Sequence, residues 1–171
     1  CALGLAIPMS IMVGIGRGAQ KGVLIKNAEA LEQLEKVDTL VFDKTGTLTK
    51  GRPIVTQVIT STTASETELL RAAASLERQS EHPLAMAIIN AAVDRNVKLS
   101  DVINFNAVIG KGVAGTIDGH QVALGNAALM NDYGVSVQSL SMQANEHRLS
   151  GASVMFVAIS GKAVGMVVIT D

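Results

Sequence analysis

Hydrophobic and polar positions follow several rhythms along the chain, and each rhythm predicts an element. Residues 1–16, CALGLAIPMSIMVGIG, carry no charge and are rich in the small and flexible apolar residues of closely packed membrane helices. As a helix they reach about 24 Å, short of the ~30 Å hydrocarbon core, so the stretch reads as half a membrane span whose other half lies upstream. A secretory signal would need a basic start, which Cys1 does not begin. Arg17, Lys21 and Lys26 follow as the basic flank of a cytoplasmic helix end, which puts the chain from about residue 17 onward in the cytoplasm. Asn27 suits the cap of a short amphipathic connector helix running to Lys36, with Ala28, Leu31 and Leu34 on one side. Residues 39–42 are an unbroken apolar run ending in Asp43, the pattern of a central parallel strand with a carboxylate at the edge where open α/β sheets bind ligands.

Beyond Gly51 and Pro53 the rhythm alternates. Residues 54–60 read as a strand rich in Val, Ile and Thr. Ser65 and Glu68 form a capping box ahead of Leu69, Leu70, Ala73 and Leu76, and Pro83 suits the first turn of a second helix that presents Met86, Ile89 and Val93. Those two helices make a hairpin. Residues 102–108, 112–118 and 121–124 alternate as strands, with Asp118-Gly119 as a two-residue turn signal. A mostly helical stretch over 126–150 leads to strands at 153–159 and 163–170, joined by Ser160-Gly161. The last strand runs into Asp171 without cover, as in a chain cut short.

The predicted order is therefore an α/β domain split by an inserted α+β domain that carries an antiparallel sheet and a helical hairpin. The expected boundaries are a partial membrane helix with its connector over 1–36, a divided α/β domain over 37–51 and 162–171, and the insert over 52–161. Composition narrows the function. Of 171 residues 48% are hydrophobic and 17% charged, too apolar for disorder. Fourteen basic against fifteen acidic residues give a net charge of −1, without the basic excess that counters a phosphate backbone, so nucleic acid is not an expected partner. One cysteine excludes an internal disulfide framework and a CxxC zinc knuckle. With 2% aromatics and no Trp, stacking platforms are nearly absent.

The string Asp43-Lys44-Thr45-Gly46-Thr47-Leu48-Thr49 carries the clearest chemistry. A carboxylate at a strand end, then a glycine turn and clustered hydroxyls, can attack a phosphoryl group while loop N–H groups hold its oxygens and Mg²⁺ neutralises them. An Asp-x-Thr-Gly alone would equally be an Asp capping a turn. Ser80-Glu81-His82-Pro83-Leu84 is a second motif, in which His82 reads either as a ligand contact or as a helix cap before Pro83. Gly110-Lys111-Gly112-Val113-Ala114-Gly115 has GxGxxG spacing, but strands follow it instead of a helix, so a dinucleotide fold does not fit. A β-bulge with a glycine-rich turn explains it as well. Tyr133 and Phe105 are expected in the core, and His120 and His147 on the surface.

The seven-residue string is the phosphorylation signature of P-type ATPases, and the chain resembles copper-transporting members of that family along its whole length, with a haloacid-dehalogenase-like phosphorylation domain. The resemblance implies that Asp43 is the aspartyl-phosphate nucleophile, that Lys44 steadies the phosphate, and that Thr45 joins Asp43 in holding Mg²⁺ through its main-chain carbonyl. It implies that His82 and Glu77 meet the adenine of ATP, that Gly110 and Gly112 let backbone approach the ribose and phosphates, and that Gly125 and Asn126 complete the pocket. Cys1 matches the second cysteine of the family's Cys-Pro-Cys site for Cu⁺ or Ag⁺, and Ile7 departs from the Thr of many copper members. Asp171 matches the first residue of the motif that follows the insert. A membrane and a cytoplasmic metallochaperone are further implied partners. Related soluble phosphatases use a second Asp two residues after the nucleophile as general acid/base; here that position is Thr45. A nucleotide-binding module without turnover remains the alternative from a different class.

Overall fold

The computed structural model describes residues 2–43, 46–47, 49, 51–61 and 64–171, with side chains from Gly4 onward. The chain forms two compact units, Cys1–Asp43 and Lys44–Asp171.

In the first unit α1 spans Ala2–Gln20 and α2 spans Ala28–Glu35. Glycine ends α1: Gly22 has φ 82°, its N–H donates to the Ala19 carbonyl at 3.0 Å, and the Val23 N–H donates to the Gly18 carbonyl at 2.9 Å. That paired closure satisfies carbonyls that a helix end leaves open. Among the described residues no helix is long and apolar enough to cross a membrane. The Asn27 side chain caps α2 as expected, accepting from the Ala30 N–H at 3.0 Å. The expected parallel strand at 39–42 is not formed. These residues are irregular and exposed, Val41 at 93%, and no described strand pairs with them. An apolar run becomes a strand only when neighbours accept its N–H and C=O groups.

The second unit is built on a six-stranded antiparallel sheet of order β1-β6-β5-β4-β3-β2. Its strands are β1 Ile54–Thr60, β2 Val102–Val108, β3 Gly112–Ile117, β4 His120–Gly125, β5 Ser153–Ile159 and β6 Lys162–Thr170. Both turn signals hold: Asp118 and Gly119 have φ 49° and 81°, and Ser160 and Gly161 have 48° and 76°, the positive pairs that a tight hairpin needs. Both edge strands, β1 and β2, carry register irregularities, which blunt edges against further pairing.

Helices cover both faces. On one lie α3 (Glu66–Glu77) and α4 (Ala85–Asp94), whose Leu69, Leu70, Leu76 and Ile88 pack with Val122, Leu124, Val157 and Val167. On the other lie α5 (Ala127–Asp132) and α6 (Gln138–Leu149), whose Leu129, Met130 and Leu140 pack with Phe156, Met166 and Val168. Neighbours along one strand thus enter opposite clusters, and strands covered on both faces become nearly continuous apolar runs. This explains β6. The stretch 162–171 is expected in the divided α/β domain; in the structure it pairs antiparallel with β1 on one side and, through the Ser160-Gly161 turn, with β5 on the other. Burial on both faces gives the same pattern in either orientation, so the run alone could not assign the strand.

The capping box of α3 is present, with Ser65 and Glu68 exchanging bonds, and those bonds hold the Glu68 carboxyl below its ordinary range. The expected face of α4 is not the buried one. Met86 and Val93 are 60% and 63% exposed, while Ala87, Ile88 and Ala92 are buried in the cluster that holds the α3 side chains. Both sets fit the helical period, and small alanines on α3 and α4 allow the closer approach. Pro83 lies in the turn before α4. Tyr133 and Phe105 are partly buried against the two clusters as expected. His120 is exposed, but His147 is half-buried.

Candidate functional site

Four separated stretches of the second unit wall one cavity of about 540 Å³, within the ~300–1,000 Å³ of small-molecule sites. They are the end of α3 with the loop to α4, the β2–β3 turn, the end of β4 with the start of α5, and the start of β5. Glu77, His82, Gly110, Gly112, Gly125 and Asn126, all expected at a nucleotide pocket, line it together.

Glu77 is the last residue of α3 and only 1% exposed, yet neither carboxylate oxygen has a hydrogen-bond partner among the described residues. Burial pushes its pKa up; the Ser80 hydroxyl and the charge of His82 oppose the rise, with Ser80 near but not placed for a full hydrogen bond. A buried polar group left unpaired is costly and suits a site that a ligand completes. The loop after it is tied down locally. Ser80 Oγ accepts from the His82 N–H at 3.1 Å, and His82 Nδ1 accepts from the Leu84 N–H at 3.2 Å. Accepting at Nδ1 places the proton of a neutral imidazole on Nε2. His82 therefore ties the loop and offers an exposed donor on the cavity wall. It is not the helix cap: the N-cap of α4 is Leu84, which has no side-chain cap bond.

Asn126 holds the opposite wall. Its side chain caps α5 by accepting from the Leu129 N–H at 3.0 Å and donates through Nδ2 to the Gly110 carbonyl at 2.9 Å, while its N–H donates to the Lys111 carbonyl at 2.8 Å. One residue thus fixes the β2–β3 turn against the α5 N-terminus. Lys111 is paired with Asp132 at 2.6 Å. The glycines differ in their reasons. A Cβ on Gly112 would lie 2.2 Å from the Leu124 carbonyl, and one on Gly125 2.2 Å from the Lys111 carbonyl, so these paired residues serve close strand approach. Gly110 has open space around it and φ 72°. Its requirement is the turn conformation.

Sequence reasoning missed Val154 and Met155 on the cavity wall. They lie far along the chain in an ordinary alternating strand, and no local signal marks them. Ile109 and Lys111 adjoin the glycine motif and could have been added from it.

Asp43 is exposed and belongs to the first unit. Lys44, Thr45 and Cys1 lie outside the described residues. Farther along the chain, the Gly46 N–H donates to Thr49 Oγ1 at 3.3 Å, and that hydroxyl donates to Asp171 Oδ2 at 2.6 Å. The second unit thus brings Asp171 to Thr49 from the far end of the chain. Among the described residues no three His, Cys, Asp or Glu gather as a metal site. A second cavity of about 350 Å³, walled by Arg71, His120 and Lys162 among others, contains none of the expected residues, and Arg71 is paired there with Asp118 at 3.0 Å.

Comparison with known proteins completes the description. Residues 37–171 match the haloacid dehalogenase-like hydrolase family. A copper-exporting P-type ATPase of Legionella pneumophila is 57% identical over all 171 residues, which span 23% of that protein. A silver exporting P-type ATPase of Salmonella typhimurium is 50% identical, and the chain spans 21% of it. Among solved structures, a zinc-transporting PIB-type ATPase in its E2.Pi state superposes with a TM-score of 0.80 at 34% identity, covering 100% of this chain and 28% of that one. The chain spans about a fifth to a quarter of the curated relatives' length.

Proposed function

Because the chain belongs to the haloacid dehalogenase-like hydrolases and is homologous along its whole length to copper- and silver-exporting P-type ATPases, we propose that it is the ATP-handling segment of a membrane-bound copper(I) exporter. The supporting observation is that the six residues expected at the nucleotide pocket line one cavity. The cavity takes the adenosine end of ATP. His82 donates from Nε2 to a ring nitrogen, Glu77 accepts from the amino group with its otherwise unpartnered carboxylate, and Asn126 keeps the Gly110 turn in place. Apolar walls exclude water from the base.

Asp43 is the nucleophile that receives the γ-phosphoryl group with ADP as the leaving group, and Lys44 steadies the transferred phosphate. Asp43 and the Thr45 carbonyl, both oxygen ligands, would hold Mg²⁺, which would supply charge neutralisation at the phosphoryl oxygens. Thr45 stands where the related phosphatases need a second carboxylate as general base, and its lack of that group favours a long-lived phospho-aspartate over rapid hydrolysis. Cys1 contributes a soft thiolate to the exported ion, which suits Cu⁺ and Ag⁺ alike.

Calorimetric titration of the 171-residue chain tests the pocket: ATP binds, GTP binds poorly, and His82→Gln weakens ATP by roughly 1–3 kcal/mol. Equal affinity of wild type for ATP and GTP overturns the adenine reading. In the complete protein, Asp43→Asn abolishes acid-stable label from γ-labelled ATP while ATP binding persists; label at wild-type level removes Asp43 from its role.

A further inference from the structure

The nucleotide cavity has a lip for which no role has been given. Ile109, at the tip of the β2–β3 turn, lines the cavity and is 100% exposed. A fully exposed isoleucine gains nothing from its own fold. The cavity's composition adds a second fact: among the described residues no Phe or Tyr lines it, and its aromatic ring is the imidazole of His82. Phe156 and Tyr133 belong to the core on the α5–α6 face, Phe105 packs against the other core, and Phe42 lies in the first unit. Apart from the His82 imidazole, a planar base entering here meets aliphatic surface on its ring faces, which Pro83, Leu84, Val108 and Met155 supply from the walls. Among the described lining residues Ile109 is the aliphatic side chain that remains wholly in water.

We propose that Ile109 is a further binding residue of the site, a lip whose side chain packs against the ring face of the bound purine base and loses its exposure when the nucleotide binds. The Asn126 amide on the Gly110 carbonyl at 2.9 Å holds the turn that carries it, so the lip is presented in place before the ligand arrives. This inference rests on the nucleotide reading of the cavity and adds to it the group that recognises a planar apolar face.

The test is titration of the 171-residue chain with ATP for wild type, Ile109→Ser and, as a control, Ile103→Ser, an exposed β2 residue away from the cavity. Ile109→Ser is expected to weaken ATP about ten- to hundredfold, the affinity equivalent of burying one aliphatic side chain, with the thermal midpoint unchanged and a less negative heat-capacity change of binding. Ile103→Ser is expected to bind as wild type does. Equal affinity of Ile109→Ser and wild type overturns the proposal, as does an equal loss in both variants. If wild type itself does not bind ATP, the nucleotide reading fails first, and that result differs from a lip that does not matter.

Discussion

Replacing Glu77 by Met should make the chain more stable and a poorer nucleotide binder. The carboxyl is almost fully buried, and neither oxygen has a hydrogen-bond partner among the described residues. It stands at the C-terminal end of α3, where the helix dipole disfavours negative charge and no basic residue occupies the last turn. A buried polar group without a partner costs about 1–3 kcal/mol, and Met keeps the unbranched shape while removing that cost. A net gain of roughly 1–3 kcal/mol near neutral pH follows, seen as a rise of a few degrees in Tm. The pH dependence is sharper. Because burial raises the folded-state pKa above the ordinary glutamate value, the protonated carboxyl favours folding; wild-type stability is fully present below the unfolded pKa and is lost as pH rises through the folded one. The variant lacks that loss, so its advantage is smallest at acid pH, grows as pH rises and levels off above the folded pKa. Thermal melts followed by circular dichroism at several pH values, with ATP titrations on the same samples, measure both effects. A Met variant less stable than wild type at every pH would refute the unpaired-carboxyl reasoning, and an unchanged ATP affinity would remove Glu77 from the site.

The two turn glycines should separate in urea unfolding. Gly112→Ala must seat a Cβ 2.2 Å from a carbonyl oxygen at φ 143° and should lose roughly 2–6 kcal/mol from overpacking and backbone strain together, whereas Gly110→Ala, with open space at φ 72°, should lose only about 1–2 kcal/mol; the reverse order would refute the packing role of Gly112. Asn126→Ala should cost about 1–3 kcal/mol by removing the α5 cap and the brace on Gly110. Asn126→Asp keeps the cap but cannot donate to the Gly110 carbonyl, so it should recover stability without recovering ATP affinity, and recovery of both would show that the brace is idle.

Whatever was encoded within a few residues was legible in the sequence. The Ser65–Glu68 capping box, the Asn27 cap and the hairpin turns at Asp118-Gly119 and Ser160-Gly161 all formed where their local chemistry asked for them, because each satisfies its backbone groups from its own neighbourhood. The motifs also named six residues that the tertiary structure brings to one cavity. What stayed illegible needed a partner distant in the chain. The apolar run at 39–42 had strand composition but no strand to pair with among the described residues. The turn at Ser160-Gly161 set the run at 163–170 against β5, but its other neighbour, β1, lies far back along the chain and no local signal marks it. The period of α4 allowed two faces, and only the alanines of α3 chose between them. The isolation of the Glu77 carboxyl, and the arrival of Val154 and Met155 on the same wall as the Gly110 turn, exist only after the sheet has closed. Hydrogen bonds and caps act over a few residues of chain, whereas burial is the product of every element that packs around a position. The sequence by itself determined most of the elements and the chemistry they carry; the tertiary structure decided which faces meet, and with them how a buried carboxylate and a bare isoleucine come to line one cavity.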